Sequence, residues 1–294
     1  MQMTHERGPT RCGDTLLRWG AKTYVMGILN VTPDSFSGDS VDGDVDAALA
    51  RAEAFVRDGA NIIDVGGEST RPGAPAVPVT EEIARVIPVI AALAPHLAVP
   101  ISVDTSRAAV AEAALAAGAT MVNDVWGLHR DPALPGVVAH AGAALVVMHN
   151  RAATPTVDAR GGHYDAVTYA DVMAAIITRL GESVAIATRA GVPHGQIIVD
   201  PGIGFGKTVA QNLAVMRRLP ELRALGLPVL VGTSRKSFIG LTLDLPIEER
   251  LEGTAATVAL AIAAGADIIR VHDVRAMARV ARMADAITRV TSNE

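Results

Sequence analysis

IIVDPGIGFGKT, residues 197–208, sets the reading of the whole chain. Three β-branched residues run into Asp200. A turn of Pro201, Gly202, Gly204 and Gly206 then opens a helix at Thr208. A strand that ends on a carboxylate and turns through glycines onto a helix N-terminus is how α/β proteins build ligand sites. Gly206-Lys207-Thr208 looks like the end of a phosphate loop, but that pattern needs glycine at 201, where proline stands. The glycines also miss the dinucleotide spacing, because the third comes one residue early. With both Gly-rich explanations removed, Asp200 becomes the informative residue.

The 294 residues suit one large α/β domain, and half of them are hydrophobic while only 3% are aromatic. A surplus of Ala, Val and Ile fits buried parallel strands under small-residue helices. The net charge of −5 argues against a nucleic-acid binder and leaves anionic small molecules open. Cys12 is the only cysteine, so there is no disulfide frame and no cysteine-based metal cluster. The start, MQMTHERGPTRCG, has no apolar signal region, and the most apolar run, 255–266, is too short to cross a bilayer. A soluble cytoplasmic protein with no membrane partner is expected.

Residues 1–20 read as an N-terminal extension with a short hairpin, and 21–294 as the main domain. Val- and Ile-rich runs recur at 24–29, 61–65, 99–103, 120–123, 144–148, 196–199, 228–231 and 267–271. Between them lie Ala-rich amphipathic segments at 45–57, 81–93, 107–116, 132–141, 166–190, 210–219 and 249–264, with a last helix over 275–290. Glycines at 59, 118, 142, 191, 226 and 265 mark helix ends just before the next strand. Eight strands alternating with eight helices predict an α/β fold, a single (β/α)8 TIM barrel; a doubly wound open sheet is the alternative.

Barrel chemistry sits at the C-terminal strand ends. There the chain carries Asn30, Glu68, Asp104, Asn123 with Asp124, Met148 with His149, Asp200, Ser234 to Lys236, and Arg270 with His272. The loops at 31–44, 66–79 and 149–165 exceed ordinary βα lengths, as functional loops do. If the alternating faces point inward, Asp104, Asn123 and Asp200 converge as two carboxylates and an amide, suited to a flat, donor-rich heterocycle. The bland reading makes each a helix cap, but three on converging strands favour a site. Arg270, His272 and Ser234 to Lys236 stand where barrels bind phosphate. Arg235 is open between that role and an ion pair with Asp273 or Glu252. Asn30 and Asp34 offer hard oxygens of the kind Mg²⁺ accepts beside substrate phosphates.

These residues fall into ordered motifs: GILNVTPDSFS (27–37), DVGGESTRPGA (64–74), ISVDTSR (101–107), MVNDVWG (121–127), VMH (147–149) and HYD (163–165). DPGIGFGK (200–207), GTSRKSFIG (232–240), EGTAA (252–256) and RVHDV (270–274) follow. Over nearly its whole length the sequence resembles the dihydropteroate synthases of folate biosynthesis. The resemblance implies joining of p-aminobenzoate to 6-hydroxymethyl-7,8-dihydropterin pyrophosphate, with release of pyrophosphate. It implies that Asp104, Asn123, Met148, Asp200 and Lys236 hold the pterin. Asn30, Thr70, Arg270, His272 and a Mg²⁺ on Asn30 would hold the pyrophosphate. Phe36, Thr70, Arg71, Pro72, Phe205, Ser234 and Lys236 would line the aminobenzoate pocket. Asp34, Arg71, Asp104, Asp200 and Lys236 carry the catalytic roles it implies, and a homodimer is expected. Where the family continues SFSDGG, this chain reads SFSGDSVDGD from Ser35. A pterin-dependent methyltransferase would have no use for EST-RPGA or SRK. A non-catalytic paralogue would have lost an anion or loop residue, and an aldolase would need a Schiff-base lysine on a strand.

Overall fold

The computed structural model describes residues 7–32, 44–69, 74, 76–151, 155–158 and 161–289. An antiparallel hairpin comes first, β1 (Thr10–Cys12) and β2 (Thr15–Leu17). Then strands and helices alternate: β3 (Tyr24–Asn30), α1 (Val45–Arg57), β4 (Ile62–Gly66), α2 (Val79–Leu93), β5 (Ile101–Asp104), α3 (Ala108–Ala116), β6 (Met121–Asp124), α4 (Leu134–Ala141) and β7 (Ala144–Met148). A second hairpin, β8 (Thr156–Asp158) with β9 (Gly161–His163), interrupts the pattern. The chain resumes with α5 (Val172–Arg189), β10 (Ile197–Asp200), α6 (Val209–Arg218), β11 (Leu230–Val231), α7 (Ser237–Leu243), α8 (Leu251–Ala263), β12 (Ile268–Val271) and α9 (Val274–Thr288).

Eight strands form one parallel sheet in the order β10-β7-β6-β5-β4-β3-β12-β11. A parallel bridge between Val199 and Val229 joins its two ends, so the sheet closes into the expected barrel. Helix starts are fixed locally. Asp44 and Asp171 accept backbone N–H groups of α1 and α5, and Thr208 with Gln211 makes a capping box on α6.

The expected segment at 166–190 becomes helical only from Val172, because Asp171 caps it there. Nine α-helices rather than eight are present among the described residues. The unexpected one, α7, has seven residues, too few for a periodic signal in the sequence.

Two apolar layers hold the barrel. Outside, strand residues such as Ile63, Val103, Val122, Val147 and Val199 meet the helices. Inside, Met26, Ile62, Met121, Val146, Ile198, Leu230 and Ile268 form a separate cluster with Cys12 and Leu17 of the hairpin, and Trp19 packs against it. The N-terminal segment therefore plugs the barrel floor. Each fully buried large apolar side chain there contributes about 1.5–3 kcal/mol.

A buried carboxylate serves the same end: Asp267 accepts two hydrogen bonds from Arg7 at 2.6 and 2.8 Å and one from the Val229 N–H at 2.9 Å. The floor is thus closed by packing, with the Arg7–Asp267 ion pair beside it.

Candidate active site

Two residues beyond that apolar cluster on the same inward faces stand Asp64, Asn123, Met148, Asp200 and Arg270. Side-chain alternation thus turns a dry floor into a polar mouth in one step. Asp64, Asp104, Asn123 and Asp200 are between 0% and 6% exposed. Burying so many polar groups is costly unless each is partnered.

Arg270 provides much of the compensation. Its Nε donates to Asp64 Oδ2 at 2.6 Å and its Nη2 to Asp104 Oδ2 at 2.7 Å. Asn123 donates from Nδ2 to the same Asp64 oxygen at 3.0 Å. Burial works to lower the Arg270 pKa, but the facing carboxylates of Asp64 and Asp104 outweigh it and the value is raised. Burial lifts Asp104 to about 7 in spite of Arg270. The other oxygens of both carboxylates, and the Ser102 hydroxyl, find no hydrogen-bond partner among the described residues. Buried acceptors left open inside a barrel mouth are where a ligand's N–H groups would go.

Asp200 is set by the turn after it. Its Oδ1 accepts from the Gly202 N–H at 2.7 Å. Gly202 has a φ of +66°, and a Cβ there would fall on the His149 carbonyl oxygen. Only glycine fits.

Behind this turn Lys207 is 1% exposed and donates to the Gly202 and Phe205 carbonyls at 2.8 and 3.0 Å and to His149 Nδ1 at 2.9 Å. Burial holds its pKa well below the usual range, against the pull of Asp200. Burial, then the Lys207 charge, lowers His149 to about 3, so His149 is the neutral acceptor of that bond. Asn212 closes the loop by accepting from Gly204 N–H at 2.7 Å and donating to the Lys207 and Thr208 carbonyls.

Lys236 reaches over this loop. It donates to the Ile203 carbonyl and lies 4.6 Å from the Phe205 ring centroid. Burial pushes its pKa down to about 8, with Asp200 pulling the other way, and burial raises Asp200 against Lys236.

At the rim, Ser234 Oγ lies 3.1 Å from His272 Nδ1 and accepts from the His272 N–H at 3.2 Å. Across the mouth, a Cβ placed on Gly66 would sit 3.8 Å from Asn30 Oδ1 and 3.9 Å from Asp104 Oδ2, so these two oxygens flank one small residue. No group of three or more His, Cys, Asp or Glu able to hold a metal exists among the described residues.

The structure therefore gathers Asp104, Asn123, Met148, Asp200, Lys236 and Arg270 at one mouth, with Asn30, Phe205, Ser234 and His272 at its edge. Asp34, Phe36, Thr70, Arg71 and Pro72 lie outside the described residues. Arg235 resolves to the ion pair: its Nε and Nη2 hold Asp273 at 2.9 and 2.5 Å. Asp124 also turns out to be structural, accepting the Trp126 and Leu128 N–H groups.

Sequence reasoning passed over Asp64 and the buried amine of Lys207. Asp64 had a signal, a charge at the inward position two residues beyond Ile62 in an otherwise apolar strand.

The pterin binding enzyme family matches residues 26–272. The dihydropteroate synthase of Bacillus subtilis is 52% identical over 271 residues, covering 92% of this chain and 90% of that protein. A Clostridium difficile dihydropteroate synthase crystallised in the presence of pteroic acid has a TM-score of 0.84 and 48% identity, covering 92% of this chain and 99% of that one. That of Xanthomonas albilineans with 4-aminobenzoic acid gives 0.85 and 41%, covering 97% and 100%. With the barrel, its mouth and these likenesses in agreement over nearly the full length, the chain belongs to the dihydropteroate synthase family of pterin-binding enzymes.

Proposed function

We infer that the barrel mouth condenses 6-hydroxymethyl-7,8-dihydropterin pyrophosphate with p-aminobenzoate to give 7,8-dihydropteroate and pyrophosphate. The observation that carries this reading is the set of buried, open acceptors on Asp104 and its neighbours beside the Arg270 and Lys236 cations. A dihydropterin offers the N–H groups such acceptors need. Asp104, Asn123 and Asp200 would take its ring edge, with Met148 against its face and Lys236 at the junction with the amine.

The leaving pyrophosphate carries charge that must be neutralised for its bond to break. Arg270, His272 and Thr70 are the groups we assign to it. Asn30 supplies a neutral hard oxygen of the kind Mg²⁺ accepts, and among the described residues no His, Cys, Asp or Glu cluster offers a site for another metal. Asn30 would hold the ion beside the substrate phosphates, and when bound it would supply charge neutralisation for the departing pyrophosphate.

Departure leaves positive charge on the pterin methylene. Asp104 and Asp200, buried at the mouth, would stabilise that cation. The neutral aromatic amine then forms its C–N bond to the methylene without a strong general base and gives up its extra proton to water. Asp34, Phe36, Thr70, Arg71, Pro72, Phe205 and Ser234 are the residues we assign to closing the site and seating the amine.

A homodimer is part of the proposal. Leu260, Met283 and Ile287 on the adjoining helices α8 and α9 are 66%, 63% and 72% exposed and would be covered in a dimer. A reducing cytoplasmic setting agrees with a single, buried, free cysteine. Among the described residues no helix is long and apolar enough to cross a membrane.

The test is product formation: incubating the chain with both substrates and Mg²⁺ should yield dihydropteroate and pyrophosphate in equal amounts. Pterin binding without product would move the chain to the non-catalytic reading.

A further inference from the structure

We propose that Asp64 is a positioning residue that fixes the hydrogen-bond polarity of the pterin site, by making Asn123 present an acceptor to the heterocycle. The proposal rests on the function inferred above.

Asp64 is fully buried in the middle of β4, and one of its oxygens takes two hydrogen bonds, from Asn123 Nδ2 at 3.0 Å and Arg270 Nε at 2.6 Å. A primary amide can turn either end to a ligand, and its neighbours decide which. That oxygen already accepts from the Arg270 guanidinium, which can only donate, so it is the Asn123 NH2 and not the Asn123 carbonyl that faces Asp64. The Asn123 carbonyl oxygen is then the end left for another partner.

The same carboxylate orders a second group. With Nε on Asp64, the Arg270 guanidinium lies so that Nη2 reaches Asp104 Oδ2 at 2.7 Å. That occupies one Asp104 oxygen and leaves the other, Oδ1, without a donor among the described residues. Asp64 thus presets the ligand-facing atoms of two neighbours as acceptors. A site lined this way selects a ring edge that carries amino and N–H donors. It rejects an isostere with a carbonyl in place of an amino group, because two acceptors then face each other.

The alternative is that Asp64 only supports the fold. Selectivity separates the two, since a merely structural role weakens both heterocycles alike. The probes are 6-hydroxymethylpterin and its 2-oxo isostere, titrated calorimetrically into the full chain. The unaltered chain is expected to prefer the amino compound by about a hundredfold. Asp64→Leu removes the acceptor and should cut that preference to roughly a few fold. Asp64→Asn keeps an oxygen in place to receive both donors and should retain most of it.

Unchanged preference in Asp64→Leu, or its loss in Asp64→Asn, would overturn the proposal. If Asp64→Leu does not fold, the unaltered chain still carries a test by NMR. The Asn123 side-chain NH2 should be protected from hydrogen exchange both with and without bound pterin. Protection that arises only on binding would show the NH2 facing the ligand and refute the idea. A chain that binds neither heterocycle would instead fail the function inferred above, which separates the two failures.

Discussion

The two ends of the barrel interior differ by only two residues along each strand, yet they are chemically opposite. The floor, with Leu17, Met26, Ile62, Met121, Val146, Ile198 and Ile268, is apolar and capped by the N-terminal hairpin. The mouth, starting at Asp64, Asn123, Asp200 and Arg270, buries three carboxylates with Asp104 among them against the cations of Arg270 and Lys236. Packing at the floor supplies the stability that the mouth gives up in desolvating charge. Positions at the N-terminal strand ends therefore govern folding, and those at the C-terminal ends govern binding and turnover.

The sharpest way to break this contrast is to perturb each end and read both properties. Met26→Ala should destabilise the chain by about 2–5 kcal/mol, because Met26 is fully buried and the hairpin cannot collapse into the gap. KM for both substrates should stay unchanged in the folded fraction, as checked by denaturant melts and steady-state kinetics. Lys236→Ala should act at the other end, lowering kcat/KM by about a hundredfold and weakening both substrates together. Weakening of p-aminobenzoate alone would show that Lys236 does not stand between the two.

A smaller effect sharpens the electrostatic half of the comparison. Lys236 has its pKa lowered from 10.5 to about 8, so it is charged below that value and neutral above it. Turnover should fall as pH rises through about 8, by roughly tenfold per unit once the lysine is deprotonated. Over the same interval this group alone makes stability rise with pH, because between about 8 and 10.5 the unfolded chain holds more protons than the folded one. In Lys236→Arg, which does not titrate there, the residual activity should lack that limb.

Smallest should be Asp273→Asn. It loosens the ion pair that ties the β11 and β12 loop residues Arg235 and Asp273, and those side chains are about one-fifth exposed, 21% and 23%. A loss of about 1 kcal/mol in stability with unchanged kcat is expected.

The barrel and most of its mouth could be read from the chain because strand and helix periods alternate with glycine punctuation, and because polar residues collect at one set of strand ends. Asp104, Asn123 and Asp200 emerged from their place at the strand ends together with inward alternation. Helix α7 did not, since seven residues carry no helical period. Asp64 was missed for another reason. It lies in the middle of its strand rather than at the end, and a rule that looks for chemistry at strand ends passes over a residue that acts through its neighbours. Lys207 was passed over with its motif: once Pro201 ruled out a phosphate loop, the Gly-Lys-Thr ending gave the lysine no role, and the structure turns its amine inward onto the loop's own carbonyls. Arg235 and Asp124 show the reverse, with charged residues at strand ends spent on local geometry.

In the proposed mechanism the charged mouth drives pyrophosphate off the pterin and supports the cation left behind. Its most direct test is pyrophosphate release from the pterin pyrophosphate with Mg²⁺, measured with and without p-aminobenzoate while dihydropteroate is followed in parallel. Release is expected in both cases, with dihydropteroate only when the amine is present. Release that requires the amine, with an intact pterin–pyrophosphate bond in its absence, would contradict that mechanism.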